Sequence, residues 1–186
     1  MKKLLALDIG EVCIKLNHHH CLQKMNWAEM RDVPPRLLQA ANELECGRMK
    51  EDEFYTLVSS ELNIPDLNEI REWFYSILGD EMPGVAHTLK RIESGWRFVF
   101  LSDISGAHLR LVADKVSFFD RADGGIYSFE VGAKKPDREM FAAFERKFGR
   151  PDMYVDDREA NIHAAREFGW PAWQFTTAED FDKLFK

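Results

Sequence analysis

Short apolar runs alternate along the chain with stretches of helical periodicity. The apolar runs have the length of buried parallel strands and cover residues 4–9, 96–101, 153–155 and 172–175, with a further short strand or turn at 124–129. Apolar residues at helical spacing cover residues 85–92, 108–116, 138–148 and 160–168. Strands that alternate with helices predict a Rossmann-like α/β core, in which helices cover both faces of a parallel sheet.

The long segment between the first two apolar runs has a different pattern. Residues 11–20 are polar and irregular, and residues 22–80 carry apolar positions at helical spacing without a strand pattern. Pro83 and Gly84 mark the return to the alternating pattern. We therefore predict a core formed by residues 1–16 and 82–186, with residues 17–81 inserted as an all-helical cap.

Three of the apolar runs end in polar side chains. These are Asp8 after the first run, Ser102 and Asp103 after the second, and Asp156 and Asp157 after the third. A single carboxylate in such a place is most simply a helix cap or a turn residue. Because the carboxyl ends of parallel strands lie at one edge of the sheet, three such ends together predict one shared site.

Hydrolysis of a phosphate ester is chemistry that these residue types support. A carboxylate such as Asp8 can attack phosphorus, but two anions repel each other and need a cation between them. Asp8 and Asp157 offer the oxygen ligands that Mg²⁺ prefers. Ser102 precedes a predicted helix start, where phosphate oxygens are readily bound, and Lys135 is the lysine best placed to neutralise developing charge.

Composition limits the classes of partner. The chain of 186 residues has a formal net charge of -7 and no long basic run, so nothing indicates a nucleic-acid surface. No apolar segment has the length of a signal sequence core or a membrane span. Cys13, Cys21 and Cys46 lack metal-ligand spacing, which predicts free thiols in a reducing, cytoplasmic environment.

The candidate residues resemble, in order, the four motifs of the haloacid dehalogenase superfamily. The segments that carry the resemblance are residues 7–12, with Asp8 as nucleophile, residues 100–103, with the serine, residues 135–137, with the lysine, and residues 155–161, with the acidic pair. Four motifs in order are specific where any one alone is weak, and they extend over the whole chain. The helical segment at 17–81 is similar to the small helical cap of one class of this superfamily.

The resemblance implies a role for each matching residue and Mg²⁺ as the cofactor. It implies that Asp8 attacks phosphorus, and that Asp8, the Gly10 carbonyl and Asp157 bind the metal. It also implies a phosphate site and a supporting set. Ser102, the Asp103 N–H and Lys135 would hold the phosphoryl group, and Asp156 and Asn161 would support the lysine and the metal loop.

One position departs from the pattern of the superfamily. Most of its phosphatases carry a second aspartate, a general acid and base, where this chain has Gly10. General acid–base help contributes about 10²–10⁴-fold, so its loss slows turnover without abolishing it. A similar Asp-x-Gly motif occurs in a subgroup that resembles sugar 1-phosphate phosphatases. We therefore expect a preference for esters with an acidic leaving group, such as anomeric sugar phosphates or aryl phosphates.

Other residues are weaker candidates for proton transfer or substrate contact. Glu11 follows Gly10, and His108 follows the second motif, but a solvated glutamate and a histidine on a helix surface are the simpler interpretations. His18 and His20 lie with His19 in the expected linker to the cap, where solvated loop residues are again the simpler interpretation.

The sequence leaves several functions open. The substrate is expected to be a small phosphorylated metabolite, with a sugar phosphate as the first candidate, and the oligomeric state is not determined. A metal-independent 2-haloacid dehalogenase is an alternative, although the acidic pair Asp156-Asp157 argues against it. A non-catalytic binding or regulatory protein that has lost its acid–base residue is another alternative, against which intact Asp8 and Lys135 weigh.

Overall fold

The structure is a computed structural model that describes residues 2–186. Strands and helices alternate along most of the chain. The strands are β1 Lys3–Leu7, β2 Ile14–Leu16, β3 Leu78–Glu81, β4 Trp96–Ser102, β5 Gly125–Tyr127, β6 Met153–Asp156 and β7 Ala172–Gln174. The helices are α1 His18–Lys24, α2 Pro35–Glu45, α3 Glu51–Leu62, α4 Leu67–Tyr75, α5 Val85–Ile92, α6 Gly106–Lys115, α7 Ser128–Val131, α8 Arg138–Phe148, α9 Glu159–Glu167 and α10 Ala178–Lys183. Two 3₁₀ turns lie at Met30–Asp32 and Phe119–Arg121.

Five strands form one parallel sheet in the order β5-β4-β1-β6-β7. Alternate side chains of the central strand β1 enter two different apolar clusters, as the pleat requires. Leu5 and Leu7 pack with residues of α5, α6 and α10 on one face. Leu4 and Ala6 pack with residues of α8 and α9 on the other face. The predicted Rossmann-like α/β core with a parallel sheet is confirmed.

The helical segment between β2 and β3 has an apolar core of its own. Residues of α1 to α4 form a third cluster that includes Leu22, Leu44, Phe54, Val58 and Ile70. Burial of such a stripe from each helix is what the helical spacing of apolar residues predicted. The inserted all-helical unit is confirmed, whereas the boundaries given for it at residues 17 and 81 stay a prediction.

A two-stranded antiparallel ribbon, β2 with β3, joins the helical unit to the core. The prediction that residues 22–80 contain no strand was wrong, because β3 begins at Leu78. His18, His19 and His20 were expected in a loop but form the first turn of α1, with all three side chains exposed. The tertiary pairing of the ribbon sets these conformations, and it lies outside the local pattern.

Several contacts hold the helical unit against the core. Glu45 at the end of α2 pairs with Lys134, and the Arg48 guanidinium donates to the Gly132 carbonyl over 2.9 Å. The Arg110 guanidinium on α6 pairs with Glu51 over 2.7 Å. These contacts place the unit over the loops that follow β1 and β4. No helix in residues 2–186 is long and apolar enough to cross a membrane.

Candidate active site

Neighbouring strands of the sheet carry the candidate carboxylates and the serine to one edge. Asp8 follows β1, Ser102 ends β4 and Asp156 ends β6, and β1 lies between β4 and β6. All three side chains are buried. The sheet order therefore brings together groups that are far apart in sequence, as the alternation of strands and helices predicted.

Lys135 lies at the centre of this group with its ammonium fully enclosed. Its Nζ lies 2.7 Å from Asp8 Oδ1 and donates to Asp156 Oδ2 over 2.7 Å and to the Leu101 carbonyl over 2.9 Å. Its backbone N–H donates to Asp103 Oδ1 over 2.9 Å. The lysine is thus fixed at both ends, with its charge directed at the carboxylate of Asp8.

Asp156 uses both of its oxygens to fix neighbouring groups. Oδ1 accepts from the Arg158 N–H over 2.8 Å and from Asn161 Nδ2 over 2.9 Å, and Oδ2 accepts from Lys135 and from the Tyr154 hydroxyl. A carboxylate with this many donors holds its place and orients Lys135. The contribution of Tyr154 was missed in the sequence. Its position two residues before Asp156 in a strand, on the same side of the sheet, is the signal that could have revealed it.

Asp8 and Asp157 have the character of cation ligands. One carboxylate oxygen from each of Asp8, Asp156 and Asp157 lies within 4.8 Å of the others. Asp8 Oδ1 is buried and accepts no aligned hydrogen bond within residues 2–186, so its contact with Lys135 is an ion pair alone. Three carboxylates against one ammonium leave an excess of negative charge, and this oxygen donor set fits Mg²⁺.

Burial and neighbouring charges shift the titration of these groups. Burial raises the pKa of Asp8 to about 7, with Lys135 opposing the shift and Asp156 adding to it. Burial disfavours the Lys135 ammonium, yet Asp8 and Asp156 raise its pKa above the ordinary value. Burial and the charge of Asp156 raise the pKa of Asp157. The ammonium of Lys135 is therefore charged at neutral pH.

Gly10 lies beside the apolar side chain of Leu16. A Cβ atom built on Gly10 would lie 3.0 Å from Leu16 Cδ1, and the leucine would have to move by a few tenths of an ångström to admit it. The volume in which a side chain at position 10 would begin is therefore already bordered by a hydrocarbon group.

The weaker candidates from the sequence have other partners. The Glu11 carboxylate accepts from the Leu16 N–H over 2.8 Å. His108 is buried, stacks on the Phe74 ring at 4.0 Å and donates from Nε2 to the Phe74 carbonyl over 2.9 Å. Burial lowers the pKa of His108, so the ring is neutral. The expected surface position of His108 was wrong, because α6 turns this face toward α4.

Solved structures share this arrangement of strands and helices. No family model and no curated protein sequence matches the chain. A HAD family enzyme from Bacteroides thetaiotaomicron, crystallised with magnesium and inorganic phosphate, has a TM-score of 0.86 at 22% identity, with 100% of both chains covered. The chain has the haloacid dehalogenase fold.

Two further neighbours show how widely this fold is shared. A predicted HAD-like family hydrolase from Porphyromonas gingivalis has a TM-score of 0.81 at 19% identity, covering 100% of this chain and 98% of its own. L-2-haloacid dehalogenase from Xanthobacter autotrophicus has a TM-score of 0.63 at 17% identity, covering 98% of this chain and 82% of its own. A dehalogenase and an enzyme crystallised with magnesium and inorganic phosphate therefore share this fold, and the reaction must be argued from the site.

A large cavity lies between the helical unit and the site edge of the haloacid dehalogenase fold. Its volume is about 380 Å³, within the usual range for small-molecule pockets. Gly10, Ser102 and Asp103 line one end, and His18 lies on the wall that α1 contributes. His20 is not part of the lining. The cavity therefore opens directly onto the candidate phosphate-binding loop.

Proposed function

We propose that the protein is a Mg²⁺-dependent phosphomonoester hydrolase with Asp8 as its nucleophile. The observation that supports this most is the pairing of a buried Asp8 carboxylate with the Lys135 ammonium at 2.7 Å, beside the Ser102 loop and the Asp157 carboxylate. A carboxylate next to a fixed cation is suited to attack on phosphorus.

The reaction would take place in two steps at Asp8. In the first step a carboxylate oxygen of Asp8 forms a bond to phosphorus, the ester P–O bond breaks, and the leaving oxygen keeps the bonding electron pair. In the second step water attacks the phosphorus of the aspartyl phosphate, releases inorganic phosphate and restores the carboxylate. Lys135 offsets negative charge on the transferred group in both steps.

Asp8, the Gly10 carbonyl and Asp157 would hold the magnesium ion. A bound Mg²⁺ would reduce the repulsion between the carboxylate and the phosphoryl group. The carboxylates of Asp8 and Asp157, which have oxygens within 4.8 Å of each other, support this assignment, and so does the bacteroidal neighbour crystallised with magnesium and inorganic phosphate.

The remaining site residues would bind the phosphoryl group and support its neighbours. The Ser102 hydroxyl and the Asp103 N–H would hold phosphoryl oxygens, and Asp156, with Asn161, would orient Lys135. Residues 17–81 would act as a cap over a small phosphorylated metabolite. The three free cysteines are buried and fit a reducing, cytoplasmic location.

A screen of phosphate esters with Mg²⁺ tests the proposal. The wild type should release phosphate, EDTA should abolish the release, and Asp8→Asn should lower kcat at least about 10³-fold. Asp114→Asn, at an exposed position of α6, is the matched control and should keep full activity. Dehalogenation of 2-haloacids that continues in the presence of EDTA would instead indicate a dehalogenase. Inactivity toward both phosphate esters and 2-haloacids would indicate a binding protein.

A further inference from the structure

The wall that the helical unit contributes to the cavity is mostly hydrocarbon, and its polar side chains are His18, Asn42 and Glu45. Its surface comes from side chains of α1, α2 and α3 and from the segment between α1 and α2, among them Leu22, Met25, Met30, Leu37 and Leu38. The opposite wall adds Ile9, Ile14 and Leu16 from the core. A ligand that fills this space exchanges water for an apolar surface on both sides.

Some polar groups of the lining are held by other groups, whereas the side chains of His18 and Asn42 are exposed. Glu45 pairs with Lys134, and His108 is bound to the Phe74 carbonyl. A sugar carries a hydroxyl on nearly every carbon, and each one that is buried without a partner weakens binding by about fivefold or more. The lining offers few polar groups for so many hydroxyls, so the cavity is poorly suited to a sugar phosphate, which was the first candidate from the sequence.

The rim of the cavity exposes apolar surface to water. Met30 is 46% exposed and Leu38 is 39% exposed, and both line the cavity. An exposed apolar surface that continues into an apolar pocket indicates a binding site rather than an isolated surface residue. At the inner end, Leu16 Cδ1 lies 3.0 Å from the position of a Cβ atom at Gly10, so hydrocarbon also borders this position.

The proton chemistry of the site restricts the leaving group further. Position 10 has no side chain that could protonate the leaving group, Glu11 accepts from the Leu16 N–H, and the His108 ring donates to a carbonyl. His18, on the α1 wall of the cavity, is the remaining candidate donor. A phenolate can leave with its electron pair and take its proton from solvent afterwards. An alkoxide, which is a far stronger base, needs a proton as it departs.

We infer that the substrate is an aryl phosphomonoester whose phenol carries apolar substituents, with the phosphoryl group on the Ser102 loop and the ring in the cavity beneath Leu38. This inference rests on the proposed function and adds the class of substrate to it. The cavity supplies affinity through hydrocarbon contact, and the phenol supplies a leaving group that needs no acid from the protein.

A series of 4-alkylphenyl phosphates tests the inference, because the tail grows while the acidity of the phenol stays nearly constant. Each methylene buried in the cavity should raise kcat/KM by about two- to fourfold, so 4-butylphenyl phosphate should exceed phenyl phosphate by at least about tenfold. Equal values along the series, or a preference for sugar phosphates or for phosphotyrosine, would overturn the inference while leaving the proposed function intact.

Two matched variants locate the effect in the cavity. Leu38→Gln should reduce the ratio of kcat/KM for the butyl ester to that for the phenyl ester by about fivefold or more. Leu67→Gln replaces another exposed leucine of the helical unit, 37% exposed and outside the cavity, and should leave the ratio unchanged. A ratio that both variants lower equally, or that neither changes, would contradict the assignment.

Binding separates failure of this inference from failure of the proposed function. Calorimetric titration of Asp8→Asn with the same esters and Mg²⁺ should show affinity that rises with tail length. If the wild type hydrolyses no ester, the proposed function fails, and this titration then decides only whether the cavity binds apolar aryl esters. Affinity that does not depend on the tail would then reject it.

Discussion

The absence of a side chain at Gly10 matters because of what lies around it. Leu16 Cδ1 lies 3.0 Å from the position of a Cβ atom at residue 10, and Glu11 and His108 are bound to backbone groups. The site thus holds a fixed ammonium and carboxylates, and neither position 10 nor Glu11 nor His108 offers a free proton to the leaving group.

Gly10→Asp should therefore make alkyl phosphates better substrates. The new carboxyl group would protonate the alkoxide, and kcat/KM for butyl phosphate relative to phenyl phosphate should rise about tenfold or more. Leu16 limits the space, so the double variant with Leu16→Ala should show the larger gain. A ratio that is the same in the wild type and in both variants would contradict the assignment of the missing acid to position 10.

Tyr154 fixes Asp156 from within the sheet, so Tyr154→Phe should act on catalysis without unfolding the protein. Loss of the hydroxyl removes one donor to Asp156 Oδ2, while Lys135 remains. We expect kcat to fall about tenfold with little change in KM. Tyr127→Phe is the control, because that buried hydroxyl donates to no site carboxylate. Equal effects of the two variants, or an effect on KM alone, would argue against a positioning role.

The turn between α2 and α3 fits tightly against the core. Gly47 has φ +67°, and a Cβ atom there would lie 2.1 Å from the Phe129 carbonyl oxygen. Backbone atoms of the helical unit and of the core thus come as close as they can at this point. Together with the ion pairs of Glu45 and Glu51, this contact fixes the distance between the helical unit and the core.

Gly47→Ala should push the helical unit away from the core. The alanine combines a positive φ with a backbone clash, and we expect a loss of about 2–4 kcal/mol in the free energy of unfolding, with lower kcat/KM. Gly169→Ala shares the positive φ, +97°, but meets only an Arg150 side-chain nitrogen at 3.8 Å. It should lose about 1 kcal/mol and keep its activity. Urea unfolding that gives both variants the same stability would refute this.

The last helix, α10, contacts α5 through the carboxylate of Asp182, whose pKa is strongly lowered. Hydrogen bonds from Arg91 and Thr88 on α5 lower the pKa of Asp182 to about 2. Because the pKa is depressed in the folded state, the stabilisation is complete above the ordinary pKa of an aspartate, near 4. It is lost as the pH falls toward 2.

Asp182→Asn should accordingly lower the melting temperature at pH 6, and the difference from the wild type should shrink steadily between pH 4 and pH 3. Glu179→Gln, on the same helix but without an ion pair to α5, should show no such trend. A difference that is independent of pH would mean that packing, and not the charge of Asp182, holds the helix.

The whole molecule shows which features a sequence can predict. Apolar runs bounded by polar residues marked the sheet and its site edge, since parallel strands must place their ends together. The ribbon escaped prediction because its strands are three and four residues long and its pairing spans the entire helical segment. The short helix α10 gave no clear period in the sequence either.

The apolar lining of the cavity could not be predicted, because apolar residues at helical spacing in this unit form both its core and the cavity wall. On α2, Ala40 and Leu44 enter the core of the unit, Leu38 lines the cavity, and Leu37 and Ala41 contact both. Both faces satisfy the same helical spacing, and only the packing of the helices separates them. A sugar phosphate was therefore a reasonable first candidate from the sequence, and the folded wall argues for an apolar aryl ester.

Direct detection of the acyl phosphate on Asp8 tests the central claim most directly. A rapid acid quench of the wild type during turnover of an aryl phosphate, followed by peptide mass mapping, should find the phosphoryl group on the peptide that contains Asp8. The same treatment of Asp8→Asn should find none. Turnover without any phosphorylated peptide, or with the group on another residue, would contradict Asp8 as the nucleophile.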